Sequence, residues 1–298
     1  MRYPNPESDL DARTPKVEYG FNVQARNFKA LASDYHKNGF VNGVSVLGSA
    51  QAQRHRSLLE HAESVLGRSL HYVDKAHTAL PSPFELATMP TVLDVVEALI
   101  GPDILLYNST YIIKEPGTTT KVNWHQDLTY WGLADSDAQI SMWLALAPAT
   151  AESGAMAMLP KSHKLGAIEH QTGSDDGNLL LLGQQITKFN TAGPNPSDAV
   201  LCALEPGEAS FHHGWTVHSS QPNTSNDRRI GLNVQYLAPH NRMSDGVTAS
   251  AMLVRGTDDH GNFTVDHPPP DTLDQRALAS WHEADAQMKA NFQQEQRG

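Results

Sequence analysis

Residues 121–128 read KVNWHQDL, and the runs around them share their texture: ILLYNSTYIIKEPG at 104–117, AQISMWLALAP at 138–148, SGAMAMLP at 153–160, AVLCALEPGEASFHH at 199–213 and RRIGLNVQYLAP at 228–239. Short β-like runs at this spacing, punctuated by Pro and Gly, predict an antiparallel sandwich or barrel, with the jelly roll as a natural member. The fold expectation is therefore a mainly β protein with flanking helices and a double-stranded β-helix (jelly-roll, cupin-like) core. Side chains at i and i+2 of a strand project from one face, so His125 and Asp127 present an imidazole and a carboxylate together while Gln126 points away.

Upstream, the pattern is helical. Phe28, Leu31 and Tyr35 stand at helical spacing before the stop signal Asn38-Gly39. A second helix is predicted from about Ser49, an N-cap candidate, to Leu66, and a third, VLDVVEALIG, is capped by Thr91 and ended by Gly101-Pro102. Between them, residues 68–90 with His71, Lys75, His77 and LPSPF read as an irregular segment able to cover a site. Lys164 to Asn195 is a long polar insertion, read as a surface excursion or lid. Leu273, Leu278, Trp281, Ala284 and Met288 form an apolar stripe on a predicted helix at about 271–296. The predicted organisation is an N-terminal arm (1–25) and one domain (26–298), with a helical part at 26–102 and a β core at about 103–240.

Composition narrows the function. The chain has 298 residues, 33 acidic and 22 basic side chains and a formal net charge of −11, without a run of Lys or Arg. That balance disfavours a nucleic-acid backbone or an anionic membrane surface as partner. A single cysteine, Cys202, excludes an internal disulfide framework or a cysteine-based metal cluster and fits a reducing compartment. MRYPNPESDLDARTPK lacks the apolar core of a signal peptide and no stretch approaches 18 apolar residues, so a cytoplasmic, non-spanning protein is expected. Fifteen histidines direct attention to metal or acid–base chemistry.

His125 and Asp127 are half of a metal site, and His218 in ASFHHGWTVHSSQPN is the third ligand on offer, with His212 and His213 as competitors. Two histidines and one carboxylate leave open positions on a non-haem Fe(II) for a bidentate co-substrate and O2. Alone, the tripeptide is weak evidence for a metal and reads first as a hydrogen-bonded His–Asp pair on a strand. The later run adds weight, because Arg229, Gly231, Asn233 and Gln235 share one face of a strand. An inward arginine needs an anion, since an unpaired buried charge costs several kcal/mol. A dicarboxylate supplies one: Arg229 forks its far carboxylate, Ser220 adds a hydroxyl, and the 2-oxo acid end chelates the metal.

HxD, a distal His, Ser at +2 and Arg at +11 resemble the phytanoyl-CoA dioxygenase family of Fe(II)/2-oxoglutarate oxygenases, and the flanking runs over roughly residues 70–240 share the likeness. The resemblance implies iron at His125, Asp127 and His218, 2-oxoglutarate held by Arg229 with help from Ser220, and O2 as second co-substrate. It implies hydroxylation of a C–H bond of a small molecule with release of succinate and CO2, since related halogenases carry Ala or Gly where this chain has Asp127. Asn108 and Trp143 are further co-substrate candidates. Trp124, Tyr130 and Trp131 are candidate pocket walls or a candidate cage for a quaternary ammonium group, and Lys75 with His77 a candidate contact for an anionic substrate group. The competing readings are a non-catalytic metal-binding cupin-like barrel and a metal-independent interaction module.

Overall fold

In the computed structural model, which describes residues 28–134, 138–173, 177–180, 183, 185–187, 189, 195–244 and 247–294, strand alternation sets the architecture. The two longest strands, β2 (Ile104–Lys114) and β9 (Arg229–Leu237), pair antiparallel along their length. In β9, Ile230, Leu232, Val234 and Tyr236 join the main apolar core, whereas Arg229, Asn233 and Gln235 line a cavity on the other face. β4 (Gln139–Ala145) divides likewise, with Ile140, Met142 and Leu144 in the core and Trp143 at the cavity. In β2 the phase changes. Leu106 faces the core, a register shift follows, and Asn108, Thr110 and Ile112 then face the cavity. The bulge re-aims these side chains without ending the strand.

β1 (Phe40–Ser45), β7 (Glu208–His212), β10 (Ser250–Arg255) and β11 (Thr264–Val265) complete a seven-stranded sheet in the order β1-β7-β4-β9-β2-β10-β11. A second sheet has the order β3-β8-β5-β6, from β3 (Val122–His125), β5 (Met156–Met158), β6 (Val200–Cys202) and β8 (His218–Ser220). Residues of both sheets line the cavity, and every pairing among these strands is antiparallel except β10 with β11. This is the predicted jelly roll.

Helices α1 (Phe28–Asn38), α2 (Ser49–Leu66), α3 (Pro81–Thr88) and α4 (Pro90–Ile100) cover the outer face of the large sheet, where their apolar residues share one core with β2, β4, β7 and β9. The α5 helix (Gln275–Gln294) docks through Trp281, which is 1% exposed. No helix among the described residues is long and apolar enough to cross a membrane.

Several boundaries differ from those read in the sequence. The helical part contains β1, which becomes a strand by pairing with β7 some 170 positions later. LPSPF opens a helix, with Pro81 in the first turn, where a missing N–H costs nothing. The α2 cap is Gly48 rather than Ser49, with the Gln51 side chain accepting from the Gly48 N–H. α4 starts at Pro90 with Met89 as its cap in place of Thr91. α5 begins at Gln275, after Asp274 accepts from the Ala277 N–H. β10 and β11 extend the sheet past residue 240. The 1–25 arm lies outside the described residues, as does part of the 164–195 insertion.

Candidate metal and co-substrate site

The metal motif stands where β3 meets β8. His125 and His218 are directly opposite in register, with ring centroids 4.1 Å apart. His218 Nδ1 lies 3.0 Å from the Thr216 carbonyl, and His125 Nδ1 is shared between the carbonyls of Asn123 (2.9 Å) and His218 (3.1 Å). A carbonyl only accepts, so Nδ1 carries the proton in both rings and both Nε2 atoms present lone pairs. Burial, then the neighbouring His125, pushes His218 down to about 3, which keeps its imidazole neutral and able to ligate.

Asp127 is not in the strand. β3 ends at His125, Gln126 remains extended, and Asp127 opens a short 3₁₀ turn to Tyr130. The alternation persists one residue beyond the ladder, enough to bring the carboxylate to the imidazoles. Its two oxygens have separate partners. Oδ2 accepts from Ser141 Oγ at 3.0 Å and from His212 Nε2 at 3.2 Å. Oδ1 lies 3.3 Å from His125 Nε2 and 3.5 Å from His218 Nε2. Burial opposes ionisation, yet the hydrogen bond from His212 helps to hold the carboxyl well below its ordinary range. Ligand atoms of His125, Asp127 and His218 all lie within 4.8 Å of one another, the only such group among the described residues. His212 supports the site by orienting Asp127, and His213 turns to Gln139 instead.

The same cavity, of about 340 Å³, reaches Arg229, Ser220 and Trp143. Arg229 is 1% exposed, its guanidinium 5.1 Å from the Trp143 ring centroid. Its NH1 donates to Gly154 O at 2.7 Å, and Nε has no partner among the described residues. Burial lowers it only to about 10, so it remains a cation, with no counter-ion in contact among the described residues. Two glycines let its surroundings pack closely. A Cβ on Gly231 would overlap the Trp143 ring, and one on Gly154, at φ +78°, would overlap the Gln221 carbonyl.

Sequence reasoning missed Lys114. Its Cα pairs with that of Arg229, a like-charged cross-strand pair that is unfavourable unless screened. Lys114 Nζ turns to the Ser220 and Gln221 carbonyls and donates to Ser220 Oγ at 2.7 Å, and burial followed by Arg229 pushes it down to about 6. With its oxygen occupied as an acceptor, the Ser220 hydroxyl keeps its hydrogen for an anion. Continuing the Asn108, Thr110, Ile112 face by one step locates this lysine.

Other predicted residues fall elsewhere. Trp124 alternates away from His125 and packs edge-on against Phe189, with Leu159, Ile186 and Val217, not in the cavity. Tyr130 and Trp131 do line it. Lys75 is 2% exposed and bonds Tyr107 O, Ser250 O and Asp266 Oδ2, so it cannot meet a substrate anion. His77 is likewise buried against Ser109. Asn108 lines the cavity, but its amide is committed to Asp74 and to the Lys75 N–H rather than to a co-substrate. The neighbouring Arg228 offers no alternative to Arg229 as anion ligand, being occupied outside by Glu63 and Glu115. The insertion does reach the site: Leu179 and Leu180 line the cavity, and the outward Gln126 bonds Gly166 O and the Ile168 N–H.

Comparison with known proteins extends the geometry. A family model described as phytanoyl-CoA dioxygenase (PhyH) matches residues 35–231. The chain is similar to a probable alpha-ketoglutarate-dependent hypophosphite dioxygenase of Stutzerimonas stutzeri, 28% identical over 170 residues that cover 57% of each chain. It is 27% identical over 158 residues to the peroxisomal phytanoyl-CoA dioxygenase of Homo sapiens, covering 51% of this chain and 45% of that one. The chain thus spans about half the length of the curated relatives it matches. Among solved structures, the apo form of the non-heme monooxygenase ThoJ is similar at TM-score 0.78 and 28% identity, over 90% of this chain and 99% of ThoJ. A nickel complex of ThoJ gives 0.73 at the same identity, over 89% of this chain and 99% of that one.

Proposed function

Since the chain belongs to the phytanoyl-CoA dioxygenase family, we propose that it is an Fe(II)- and 2-oxoglutarate-dependent dioxygenase that hydroxylates an unactivated C–H bond of a small molecule, with release of succinate and CO2. His125 Nε2, Asp127 Oδ1 and His218 Nε2 are the metal donors. The donor set fits, because all three atoms converge and each is backed by a partner that fixes its orientation. Nitrogen and carboxylate donors with open positions suit non-haem iron. Bound iron with 2-oxoglutarate and O2 supplies the oxidising power that no side chain has.

The protein's part is binding, orientation and exclusion of water. Arg229 receives the far carboxylate of 2-oxoglutarate, Ser220 donates its hydroxyl to the same group, and Lys114 holds that hydroxyl in place. The Trp143 ring packs beside the guanidinium. Leu179, Leu180, Ile112 and Trp131 close the cavity with apolar surface, which keeps water from the reacting carbon.

The single observation behind this reading is a buried arginine, without a counter-ion among the described residues, in the cavity that holds a two-histidine, one-carboxylate cluster. Anaerobic addition of Fe(II) and 2-oxoglutarate should produce the weak visible charge-transfer band of the chelate. On admission of O2, succinate should form in proportion to substrate consumed. Absence of the band at saturating ligand overturns the proposal.

A further inference from the structure

Asp74 is the one acidic side chain of the cavity wall outside the metal cluster. It is 5% exposed, and Asn108 Nδ2 donates to its Oδ1 at 2.8 Å, but its Oδ2 receives no hydrogen bond from the described residues. Its backbone is bound on both sides by α5: the Asp74 N–H donates to Asp285 Oδ1 at 2.8 Å, and Trp281 Nε1 donates to Asp74 O at 2.8 Å. Flanking Tyr72 (φ 52°) and Lys75 (φ 57°) both adopt the left-handed conformation that non-glycine residues avoid. The Lys75 N–H is held by Asn108 and its ammonium by Asp266. A strained turn this thoroughly tied down is characteristic of a functional contact.

The charges around Asp74 do not balance. Lys75 is satisfied by Asp266, and the cavity-lining Lys289 by Asp285 at 2.8 Å. Among the described residues no cation is then left in contact with the Asp74 carboxylate, which is largely buried and feels Lys289 and Lys75 only at a distance. Burial lifts its carboxyl only to about 6, so it is ionised at neutral pH. Two neighbours point to a ligand independently. Thr110, 4% exposed, and Gln235, 7% exposed, line the same cavity, and Thr110 Oγ1 and Gln235 Oε1 have no partner among the described residues. Asn108 pairs with Gln235 across β2 and β9, and Thr110 lies two residues on, so these groups form one acceptor-rich wall with Asp74.

We propose that Asp74 is the specificity-determining residue of the substrate site, and that the substrate carries a protonated nitrogen that pairs with Asp74 Oδ2 while its hydrocarbon part lies along Leu179, Leu180 and Ile112. A hydroxyl would satisfy one lone pair and leave the charge buried and unpaired. An ammonium, guanidinium or imidazolium group satisfies both. The identity of the cavity as a substrate site rests on the oxygenase reading. The affinity of Asp74 for a cation does not.

The test uses the full chain loaded with Mn(II) and 2-oxoglutarate, with n-butylammonium and 1-butanol as matched probes. Paramagnetic broadening reports a probe near the metal, and saturation-transfer NMR reports binding with or without metal. The expected result is butylammonium binding that Asp74→Asn weakens about tenfold or more, with 1-butanol indifferent to the substitution. Lys289→Met, where α5 borders the cavity, should strengthen butylammonium binding by removing the nearby positive charge. Equal binding of the two probes, no butylammonium binding, or no change in Asp74→Asn overturns the assignment. Should Mn(II) broaden neither probe while saturation transfer still shows Asp74-dependent binding, the oxygenase reading fails and only the cation affinity of Asp74 survives.

Discussion

Asp74 and Arg229 are opposite charges in one cavity, each without a counter-ion in contact among the described residues, and each makes a prediction at the scale of a single side chain. Asp74 lies above the ordinary carboxyl value of 3.8, at about 6, because burial disfavours its charge and Asp285 adds repulsion. Below pH 4 folded and unfolded chains both hold the proton and no penalty exists. Between 4 and 6 the unfolded chain ionises first, so stability falls as pH rises, and above 6 the penalty is constant. Asp74→Asn should therefore stabilise the metal-free protein at pH 7.5 by on the order of 2 kcal/mol, a gain that shrinks towards zero as pH is lowered to 4. Urea melts at the two pH values measure it, and an equal gain at both contradicts the account. Arg229→Ala should raise the 2-oxoglutarate concentration needed for half-maximal turnover by roughly 30-fold or more, the effect of removing one partner of a buried charge pair. Fe(II) affinity should change far less. An unaltered 2-oxoglutarate requirement would remove Arg229 from the role given to it.

At the scale of elements, α5 completes the cavity. Trp281 fills a slot in the main core and donates to Asp74 O, Asp285 accepts from the Asp74 N–H, and Lys289 reaches the cavity wall. The helix thus carries both packing and site geometry. Trp281→Ala should cost about 3–5 kcal/mol in a denaturant melt, the transfer and cavity cost of a large core aromatic. It should also loosen the Tyr72–Lys75 turn while leaving the β3/β8 pairing intact. If stability falls by less than 1 kcal/mol, α5 is not docked as described. The bulge in β2 is a second such device: without the register shift after Leu106, Asn108 and Thr110 would face the helices rather than the cavity.

For the whole molecule, the segment that follows the 3₁₀ turn at Ser162–Leu165 folds back on the metal motif through one outward side chain. Gln126 Nε2 donates to Gly166 O and Trp215 O, its Oε1 accepts from the Ile168 N–H, and its backbone N–H donates to His170 Nε2. The residue between two metal ligands therefore clamps the segment that leads to the cavity-lining Leu179 and Leu180. Gln126→Ala should speed hydrogen exchange at the Ile168 amide by about tenfold or more, since one net hydrogen bond is worth about 1 kcal/mol and an orphaned buried donor costs more. Fe(II) affinity should stay within a few-fold. Unchanged exchange at Ile168 would mean that the segment is held by something else.

What the amino-acid order determined by itself was periodic or local. Side-chain alternation put Arg229, Asn233 and Gln235 on one face, and the three-residue motif brought His125 and Asp127 together. Pro and Gly marked most of the turns. Tertiary structure decided everything that depends on partners remote in the chain. Lys75 became structural because Asp266 meets it, and Trp124 faces outward to Phe189. Lys114 joined the anion pocket through Ser220, 106 positions away, and Asp74 was aimed by Asp285, 211 positions away. The division has a physical cause: a strand's period is a property of its own backbone, whereas the worth of a buried charge depends on which distant groups the fold brings within hydrogen-bond reach.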